Sequence, residues 1–465
     1  MFRGDAVKDE NQAAVFDDIA ASASTSLGGL DLIVAYELLD GNETSTSDCI
    51  KAYVQSLLNS SEPTYVFLPI ELVPDHAKHI HQPCTPLIKS LYGHPLASAS
   101  WKNHLSKVLA QELGGFEFEQ LPSCFYFPSL RLALSVYVDD LTLSGTSVNH
   151  SKFWEVLRKV VQLEDPAPLS NVLGRGHVRH DGGLALHPAD FARQCVKLFE
   201  ELSGKPVKHV RTPHVDEGSL LATDQADRGQ LSNVAPKLVM KFMWLGHISR
   251  PDLVVAINVC AGHITKSTVN DDKRMTRLAG YVAATLDHCH VMRVLDKPSD
   301  LRLSLYADAD FGSAPDMRST SGYLLALEGP RSFALILWCS KRQRAVSRPT
   351  TEAEFVSVST YLIAEAVPLL EICQQLITPE ILLNCYEDNQ AVLAIIARGF
   401  SPKLRHLSKF HKINVASTRE AFNEHDINAE YIETLKQRTD VLTKSRSVSA
   451  WDSALKLLHT VSLKT

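Results

Sequence analysis

Residues 130–145, LRLALSVYVDDLTLSG, decide how the first third of the chain folds. Apolar, β-branched and aromatic residues flank Asp139 and Asp140 on both sides, a pattern typical of two β-strands joined at a turn. Two adjacent carboxylates inside an apolar segment are costly unless solvent or a cation compensates their charge. Since Asp also favours turns, the pair alone indicates either a plain hairpin turn or a cation site. The surrounding sequence has to decide between the two.

The composition limits the possible fold classes and partners but does not identify the function. With 465 residues, two or three folding units are expected, and 45% hydrophobic with 22% charged residues exclude a disordered chain. A net charge of −6 means that any nucleic-acid binding must come from local basic surfaces. The nine cysteines contain no Cys-x-x-Cys pair, so neither a zinc site nor a disulfide framework is predicted. No signal peptide or apolar run of about 18 residues is evident, so we expect no membrane partner and an intracellular protein, in a cytoplasmic particle or the nucleus rather than secreted.

Periodicity divides the chain into four segments and predicts a multidomain α/β and α+β fold. Residues 1–165 mix short strand-like runs with Gly, Pro and Ser, while residues 166–300 have mainly helical periodicity, as in residues 188–204 and 272–288. After the break at Pro298, a strand–helix series predicts an α/β domain over 301–447. Residues 448–465 are expected to form a C-terminal helix and tail.

Three ordered motifs in the first segment resemble a known polymerase. Residues 137–141, YVDDL, resemble the catalytic hairpin of reverse transcriptases, and residues 48–54, DCIKAYV, resemble the first polymerase motif of copia-type retrotransposon Pol polyproteins. Residues 89–93, KSLYG, together with Trp101, match the Leu-Tyr-Gly box of the same family. The resemblance implies a polymerase fingers and palm over residues 1–165, followed by a helical thumb and connection over 166–300.

The resemblance also implies the chemistry of this segment. Asp48, Asp139 and Asp140 would be the catalytic residues and metal ligands, and Tyr92 and Gly93 would contact the substrate. Two Mg²⁺ ions per active site, with Mn²⁺ as a substitute, would stabilise the charge that develops during nucleotide addition. The implied partners are an RNA template and dNTPs.

Two departures from the family keep a second interpretation open. Leu96 stands where the family has a glutamine, and Phe2-Arg3-Gly4 resembles the middle of the family's fingers, so a truncated N-terminus is expected. The alternative is a catalytically impaired, element-derived remnant that binds nucleic acid or nothing, above all in its polymerase half.

In the connecting region, the residue types leave structural and functional roles open. Arg250 and Asp252, in residues 249–252 (SRPD), form either a local ion pair at a helix start, which we favour, or a contact that positions the thumb on the template. Basic side chains at the next helix contact phosphates or belong to a solvated helix face; they are Lys266, Lys273, Arg274 and Arg277.

A second series of acids follows residue 300, each at the boundary of a predicted element. Asp308 and Asp310 end a strand, Glu352 and Glu354 open a helix, and Asp388 follows a second strand. Asp440 lies further on, in residues 439–444 (TDVLTK). One acid at such a boundary is usually a helix cap, but four in order favour a shared site.

These motifs resemble the ribonuclease H of copia-type elements over the whole domain. The similarity lies in residues 306–310 (YADAD), 350–355 (TTEAEF), 387–390 (EDNQ) and 439–444, with further matches at 318–323 and 338–343. It implies that Asp308, Glu354, Asp388 and Asp440 bind two Mg²⁺ ions and cleave RNA in RNA–DNA hybrids. Glu354 is preferred to Glu352, although the choice stays open.

The same resemblance implies the residues that contact the hybrid. They are Lys341, Asn389, Arg405 and His406, and other element-encoded proteins are possible further partners. The basic stretch Lys403, Arg405, Lys409 and Lys412 is expected either to contact phosphates or to form a solvated turn.

Overall fold

The computed structural model describes residues 7–8, 24–60, 62–312, 317–424 and 427–463. The predicted fingers motif Phe2-Arg3-Gly4 lies outside these residues. The chain divides into two compact units, Met1–Leu169 and Ser170–Thr465, which are described separately.

The first unit is built on an antiparallel six-stranded sheet with the order β4-β5-β6-β7-β1-β8. Its strands are β1 (Asn42–Asp48), β4 (Phe116–Glu117), β5 (Cys124–Phe127), β6 (Leu132–Tyr137), β7 (Asp140–Thr146) and β8 (Ala167–Pro168), and a separate hairpin joins β2 (Tyr65–Phe67) to β3 (Cys84–Pro86). The helices are α1 (Leu27–Tyr36), α2 (Ala52–Gln55), α3 (Ala97–Leu113) and α4 (His150–Leu157). The predicted hairpin over 130–145 is confirmed as β6 and β7.

Apolar side chains from the sheet and from α3 and α4 form the core of the first unit. Trp101, Leu105 and Leu109 of α3 pack with Phe153 and Leu157 of α4, and all are buried. Their spacing of three or four residues places them on one face of each helix. The core thereby holds the two helices against the sheet that carries the acidic hairpin.

The second unit contains two five-stranded sheets. One has the order β18-β12-β11-β10-β9, from β9 (Asn171–Val172), β10 (Arg175–His180), β11 (Gly183–His187), β12 (His288–Met292) and β18 (Thr460–Ser462). The other has the order β15-β14-β13-β16-β17, from β13 (Arg302–Asp310), β14 (Thr320–Glu328), β15 (Phe333–Arg342), β16 (Leu383–Glu387) and β17 (Ile427–Tyr431).

The helices of the second unit lie in groups between runs of these strands. They are α5 (Ala189–Ser203), α6 (Ala222–Ala226), α7 (Ala235–Ile248), α8 (Val254–Gly262), α9 (Val269–Ala284), α10 (Thr350–Tyr361), α11 (Val367–Leu376), α12 (Gln390–Arg398), α13 (Leu407–Phe410), α14 (Val415–Glu424), α15 (Asp440–Thr443) and α16 (Val448–Leu457). In the second sheet, β13, β14 and β15 are antiparallel neighbours, whereas β13, β16 and β17 run parallel. This mixed α/β arrangement confirms the fold expected after residue 300.

The connecting region is less helical than its periodicity predicts. The predicted helices are present as α5 and α9, but β9 to β12 lie in the same stretch. The C-terminal segment adds more than a helix and tail, because β18 pairs with β12. These strands are two to six residues long, too short for a helical-periodicity window of 11–18 residues to register.

One hydrophobic core spans the predicted boundary at residue 300. Leu238, Phe242 and Leu278 of the connecting region belong to the same buried cluster as Leu324 and Trp338 of the second sheet. The indole N–H of Trp338 also donates to the carbonyl of Gly246 at 3.1 Å. Residues 170–300 and 301–447 therefore share one compact unit, whereas they were predicted to be separate domains, and residues 166–169 belong to the first unit.

A continuous helical run, Thr350–Leu376, is long and apolar enough to cross a membrane, and 61% of its most apolar window is buried inside the unit. A π-helical turn, Leu362–Ala366, joins its two halves, α10 and α11. Length and composition alone are weak evidence for a membrane span, and burial of this kind is typical of a core helix.

Candidate functional site

The first set of acids meets at one end of the six-stranded sheet. Asp48, the last residue of β1, lies opposite Asp140, the first residue of β7. Asp139 lies in the turn between β6 and β7, directly after Val138, whose φ is 61°. A left-handed backbone is unusual for a β-branched residue and indicates a turn that its surroundings hold in place. The three predicted residues thus come together in the fold.

Two hydrogen bonds support this turn from neighbouring elements. The indole N–H of Trp101, on α3, donates to the carbonyl of Val138 at 2.7 Å. The backbone N–H of Cys49 donates to the carbonyl of Asp139 at 2.8 Å. The tryptophan of the Leu-Tyr-Gly box therefore has a local role, which is to anchor the acidic hairpin.

The electrostatics of the hairpin favour a bound cation. Burial, together with the charges of Asp48 and Asp139, raises the pKa of Asp140 to about 6. Partial burial and the charge of Asp139 likewise raise the pKa of Tyr92. Tyr92 is exposed, and its ring centroid lies 4.7 Å from that of Tyr53. A cation between these carboxylates would relieve the repulsion that raises the pKa of Asp140.

The second set of acids converges more tightly. Asp308, Glu354 and Asp388 each offer a carboxylate oxygen, and these atoms lie within 4.8 Å of one another. Asp308 lies near the carboxyl end of β13, and Asp388 directly follows β16. The two strands are parallel neighbours, so their carboxyl ends share an edge of the sheet, and Glu354 lies on α10, which packs on β13. Across the described ranges, no other group of three His, Cys, Asp or Glu side chains converges in this way.

The structure separates the two candidate glutamates. Glu354 belongs to the acid cluster, whereas Glu352 is fully buried and bonded to His406. Positions two apart on an α-helix point about 200° from one another, so the two side chains leave opposite faces of α10. Glu354 therefore remains the preferred ligand.

Burial and mutual repulsion shift the protonation of the cluster. Burial raises the pKa of Glu354 to about 7. The negative charges of Asp308 and Asp388 add to this shift, and a hydrogen bond from Asn389 opposes it. Burial also raises the pKa of Asp308, against the opposing effects of Lys444 and a hydrogen bond from Thr443. Asn389, which is predicted to contact substrate, donates its side-chain amide to Glu354. The carboxylates form a largely buried acidic centre whose negative charge Lys444 compensates only in part.

Asp440, the fourth predicted ligand, is not a member of the three-acid cluster, but a lysine bridges it to Asp308. The ammonium of Lys444 lies 2.8 Å from Asp440 Oδ1 and 3.2 Å from Asp308 Oδ2. The guanidinium of Arg446 also donates to Asp440. Lys444 thus occupies the space between two acids with a positive charge of its own.

Two residues of this site were missed by the sequence interpretation. Lys444 stands in the quoted TDVLTK motif, where its position four residues after Asp440 on a helical turn was an available signal. Glu387 is buried beside the cluster, and burial raises its pKa well above the ordinary value. Glu387 Oε1 accepts the backbone N–H of Asn389 at 3.0 Å, so this acid shapes the turn that carries Asp388.

The predicted substrate contacts lie at different places around the cluster. Lys341 lines a cavity of about 670 Å³ together with Asp310 and Lys444, and the connecting region contributes Asn258 and Arg274 to the same cavity. Arg405 is exposed, and its guanidinium lies 5.5 Å from the ring centroid of Phe400. His406 bonds to Glu352 rather than to a member of the cluster.

Ion pairs and hydrogen bonds within the protein bear on whether the charged residues of the connecting region have a structural role or contact nucleic acid. Arg250 and Asp252 form a fully buried, two-pronged ion pair with N–O distances of 2.8 Å, which confirms the structural role. Lys273 pairs with Asp224, and Arg274 pairs with Glu217 and Asp271. Arg277 donates to Thr212, and Lys266 is exposed. Most of these cations are therefore engaged within the protein.

Comparison with known proteins matches residues 10–213 to the family model described as reverse transcriptase (RNA-dependent DNA polymerase). The chain is 25% identical over 319 residues to the putative transposon Ty5-1 protein of Saccharomyces cerevisiae, covering 65% of this chain and 96% of that protein. It is 27% identical over 379 residues to the retrovirus-related Pol polyprotein from transposon RE2 of Arabidopsis thaliana, covering 79% of this chain and 24% of that polyprotein.

The chain thus spans about a quarter of the plant polyprotein that it matches. Among solved structures, the foamy viral protease-reverse transcriptase in complex with double-stranded DNA aligns at a TM-score of 0.48 and 11% identity, over 91% of this chain and 61% of that chain. An overlap of this quality does not define the fold, for which the strand order described above is the evidence.

Proposed function

We propose that the chain is an RNA-directed DNA polymerase with ribonuclease H activity, because residues 10–213 match the reverse transcriptase family model and the chain is similar to retrotransposon proteins of yeast and Arabidopsis thaliana. The observation that carries the nuclease half is the convergence of Asp308, Glu354 and Asp388 within 4.8 Å. The substrate of this half is the RNA strand of an RNA–DNA hybrid, and an RNA template and dNTPs are the substrates of the polymerase half.

The donor set of the nuclease site fits hard divalent cations. Carboxylate oxygens are the ligands that Mg²⁺ prefers, and Mn²⁺ accepts the same set. Burial raises the pKa values of Glu354 and Asp308 even though the positive charge of Lys444 opposes both shifts, so a bound cation would further stabilise the ionised acids. We propose that Asp308, Glu354 and Asp388 hold the ions, with Asp440 completing the set. Two bound Mg²⁺ ions would supply an activated water and stabilise the departing 3′-oxygen.

The chain's own residues prepare this site. Asn389 orients Glu354 through its side-chain amide, and Thr443 orients Asp308 through its hydroxyl. Lys444 holds Asp440 and Asp308 together through its ammonium group, so it keeps the acids in place while their charges are otherwise unbalanced. Fixed acids reduce the reorganisation needed when substrate binds.

In the polymerase half, the register of β1 against β7 supports the assignment of Asp48, Asp139 and Asp140 as metal ligands. The raised pKa of Asp140 is consistent with a site built for a cation. Trp101 keeps the turn in place, and Tyr92 stands near Asp139, where a substrate contact is expected.

A specific observation favours the second candidate, an impaired polymerase beside an intact nuclease. Leu96, in place of the family's glutamine, directly precedes α3 and offers no polar side chain to an incoming nucleotide. The first unit retains its three acids, so the two halves can be tested independently. Primer extension on an RNA template, measured alongside hybrid cleavage, distinguishes a working polymerase from a remnant.

The proposal is tested by cleavage of a labelled RNA–DNA hybrid by the full chain in Mg²⁺. Asp388→Asn keeps the side-chain shape and removes one ligand charge, and we expect a rate loss of about a thousandfold or more. Asp227→Asn, at an exposed position of the same unit, is the matched control and should cleave at the wild-type rate. Equal cleavage by Asp388→Asn, or cleavage that persists in a chelator, would overturn the nuclease assignment.

A further inference from the structure

A basic segment, residues 400–412, contacts α10, the helix that carries Glu354, and the side chains of this segment are of two kinds. Leu404 and Leu407 are buried at 3% and 0% exposure, and they fasten the segment to the unit. The cations all point to solvent; they are Lys403, Arg405, Lys409 and Lys412. Among the described residues, none of these four forms an ion pair, in contrast to the paired cations of α9.

The segment makes its polar attachment to a single buried carboxylate. Glu352 is completely buried, and its Oε2 accepts a hydrogen bond from His406 Nε2 at 3.0 Å. The backbone N–H of Arg348 donates to the same oxygen at 3.3 Å. His411 Nε2 lies 3.7 Å from the other oxygen, Oε1, and its side chain is 3% exposed. Both histidines belong to the basic segment.

A buried carboxylate requires compensation, and these histidines are its nearest source. Within the described part of the chain, Glu352 Oε1 and His411 Nε2 are buried and have no hydrogen-bond partner. Removing a buried charge from water costs several kcal/mol unless a partner offsets it. Burial of Leu404 and Leu407 stabilises the packing of the segment on the unit, but hydrophobic contacts are not directional. A hydrogen bond is directional and therefore fixes the orientation of the segment.

We propose that Glu352 is a positioning residue, which orients residues 400–412 through His406 and His411 so that their four cations bind the phosphate backbone of the RNA–DNA hybrid. The inference rests on the nuclease function proposed above. Glu352 lies two residues before Glu354 on α10, with its side chain on the opposite face of that helix. α10 thereby fixes Glu354 and the phosphate-binding cations relative to each other.

The chemistry of the cations identifies the ligand class. Exposed lysines and arginines that form no ion pair within the described part of the chain are available to phosphates, and each phosphate contact releases a condensed counterion. Contacts of this kind recognise the backbone and not the bases, as expected for an enzyme that cleaves hybrids of any sequence. Glu352 itself touches neither substrate nor reacting atoms, so its loss should weaken hybrid binding and leave the chemical step unchanged.

The test uses the full chain with Glu352→Gln, His406→Gln and the control Glu420→Gln, a charge change at an exposed position of α14. Three quantities are measured: hydrogen exchange of the backbone amides of 403–412, the Kd for a labelled hybrid without metal, and KM and kcat for cleavage in Mg²⁺. We expect Glu352→Gln to speed exchange by about tenfold. We expect Kd and KM to rise roughly three- to tenfold, with a salt slope lower by about 1. The kcat should stay within about twofold of wild type.

The outcomes separate this proposal from the nuclease proposal. If the wild type does not cleave the hybrid, the proposed nuclease function is wrong. Amide exchange and the Kd for the hybrid then still test whether Glu352 orients a phosphate-binding segment. A fall in kcat with unchanged KM and exchange overturns the positioning role, and so does wild-type behaviour in all three quantities. If Glu352→Gln does not fold, His406→Gln decides, because His406 is 33% exposed and its replacement leaves the core intact.

Discussion

Glu354 illustrates how the surroundings of one carboxyl group set its protonation. Its pKa of about 7 lies above the ordinary 4.5 because of burial and the nearby charges of Asp308 and Asp388. The folded protein therefore holds this proton to a higher pH than the unfolded chain does. The stability that Glu354 contributes is complete below about pH 4.5 and is lost as the pH rises through 7, by about 3 kcal/mol at most.

This linkage predicts how pH and Mg²⁺ act on stability. Without metal, the free energy of unfolding of the second unit should fall between pH 5 and pH 8, and Mg²⁺ should restore part of it above pH 7, where the acids are ionised. Glu354→Gln should flatten this dependence and reduce the effect of Mg²⁺, as measured by urea unfolding at each pH. A pH slope in Glu354→Gln equal to that of Glu420→Gln would contradict the assignment.

At this scale, the sequence predicts residue types well and their partners poorly. Asp308, Glu354 and Asp388 were predicted to share a site, and the structure brings them together. The role of Lys444 was not predicted, because contact with Asp308 depends on a strand 136 residues away. His406 was expected to contact substrate, but its nearest partner, Glu352, is 54 positions earlier. Contacts between residues so far apart in the sequence form through tertiary packing, so the local sequence pattern does not predict them.

At the scale of elements, α3 is coupled to the acidic hairpin by one hydrogen bond. Trp101→Phe keeps most of the buried ring but removes the N–H that donates to Val138. We expect a loss of about 1 kcal/mol in the stability of the first unit, together with several-fold slower nucleotide incorporation, since the turn bearing Asp139 loses an anchor. Primer extension and urea unfolding measure the two effects.

A matched control for that substitution exists in the same unit. Trp154→Phe also removes one indole hydrogen bond, which runs to Ser45 Oγ at 2.9 Å, away from the acidic turn. It should lower stability by a similar amount and leave incorporation unchanged. If both variants slow incorporation equally, the effect reflects general loosening of the unit and not the anchoring of the hairpin.

Element type was predictable where a segment is long, and less so where it is short. The 15 residues of α5 and the 16 of α9 carry clear periodicity, and both helices are confirmed. The five residues of β12 are too few to show a clear periodicity. The strands that pair with β12, namely β11 and β18, lie roughly a hundred or more positions away in the chain. Strand pairing of this kind depends on neighbours that the local sequence does not specify.

At the scale of the whole molecule, each of the two compact units has its own hydrophobic core. The core of the first contains Trp101 and Trp154, and that of the second contains Trp338 and Trp451. Separate cores predict separate unfolding transitions. A substitution in one core should therefore leave the stability of the other unit unchanged.

The buried ion pair of the second unit provides the sharpest test of this independence. Asp252 accepts two hydrogen bonds from Arg250 and one from Tyr281 at 2.9 Å. The hydroxyl of Tyr281 also accepts a hydrogen bond from the indole N–H of Trp451, and this bond links the connecting region to α16. Asp252→Asn leaves the charge of Arg250 buried without a counter-charge, so we expect a loss of about 3–5 kcal/mol.

Peptide-resolved hydrogen exchange in increasing urea measures this loss unit by unit. In Asp252→Asn, the amides of residues 170–463 should exchange at lower urea, while those of 24–169 keep the wild-type midpoint. The double variant Arg250→Met with Asp252→Leu should recover most of the loss, because replacing both charges by apolar groups leaves neither one unpaired. Equal shifts in both units would show that the chain unfolds as one cooperative body, and that two separate cores do not make two independent domains.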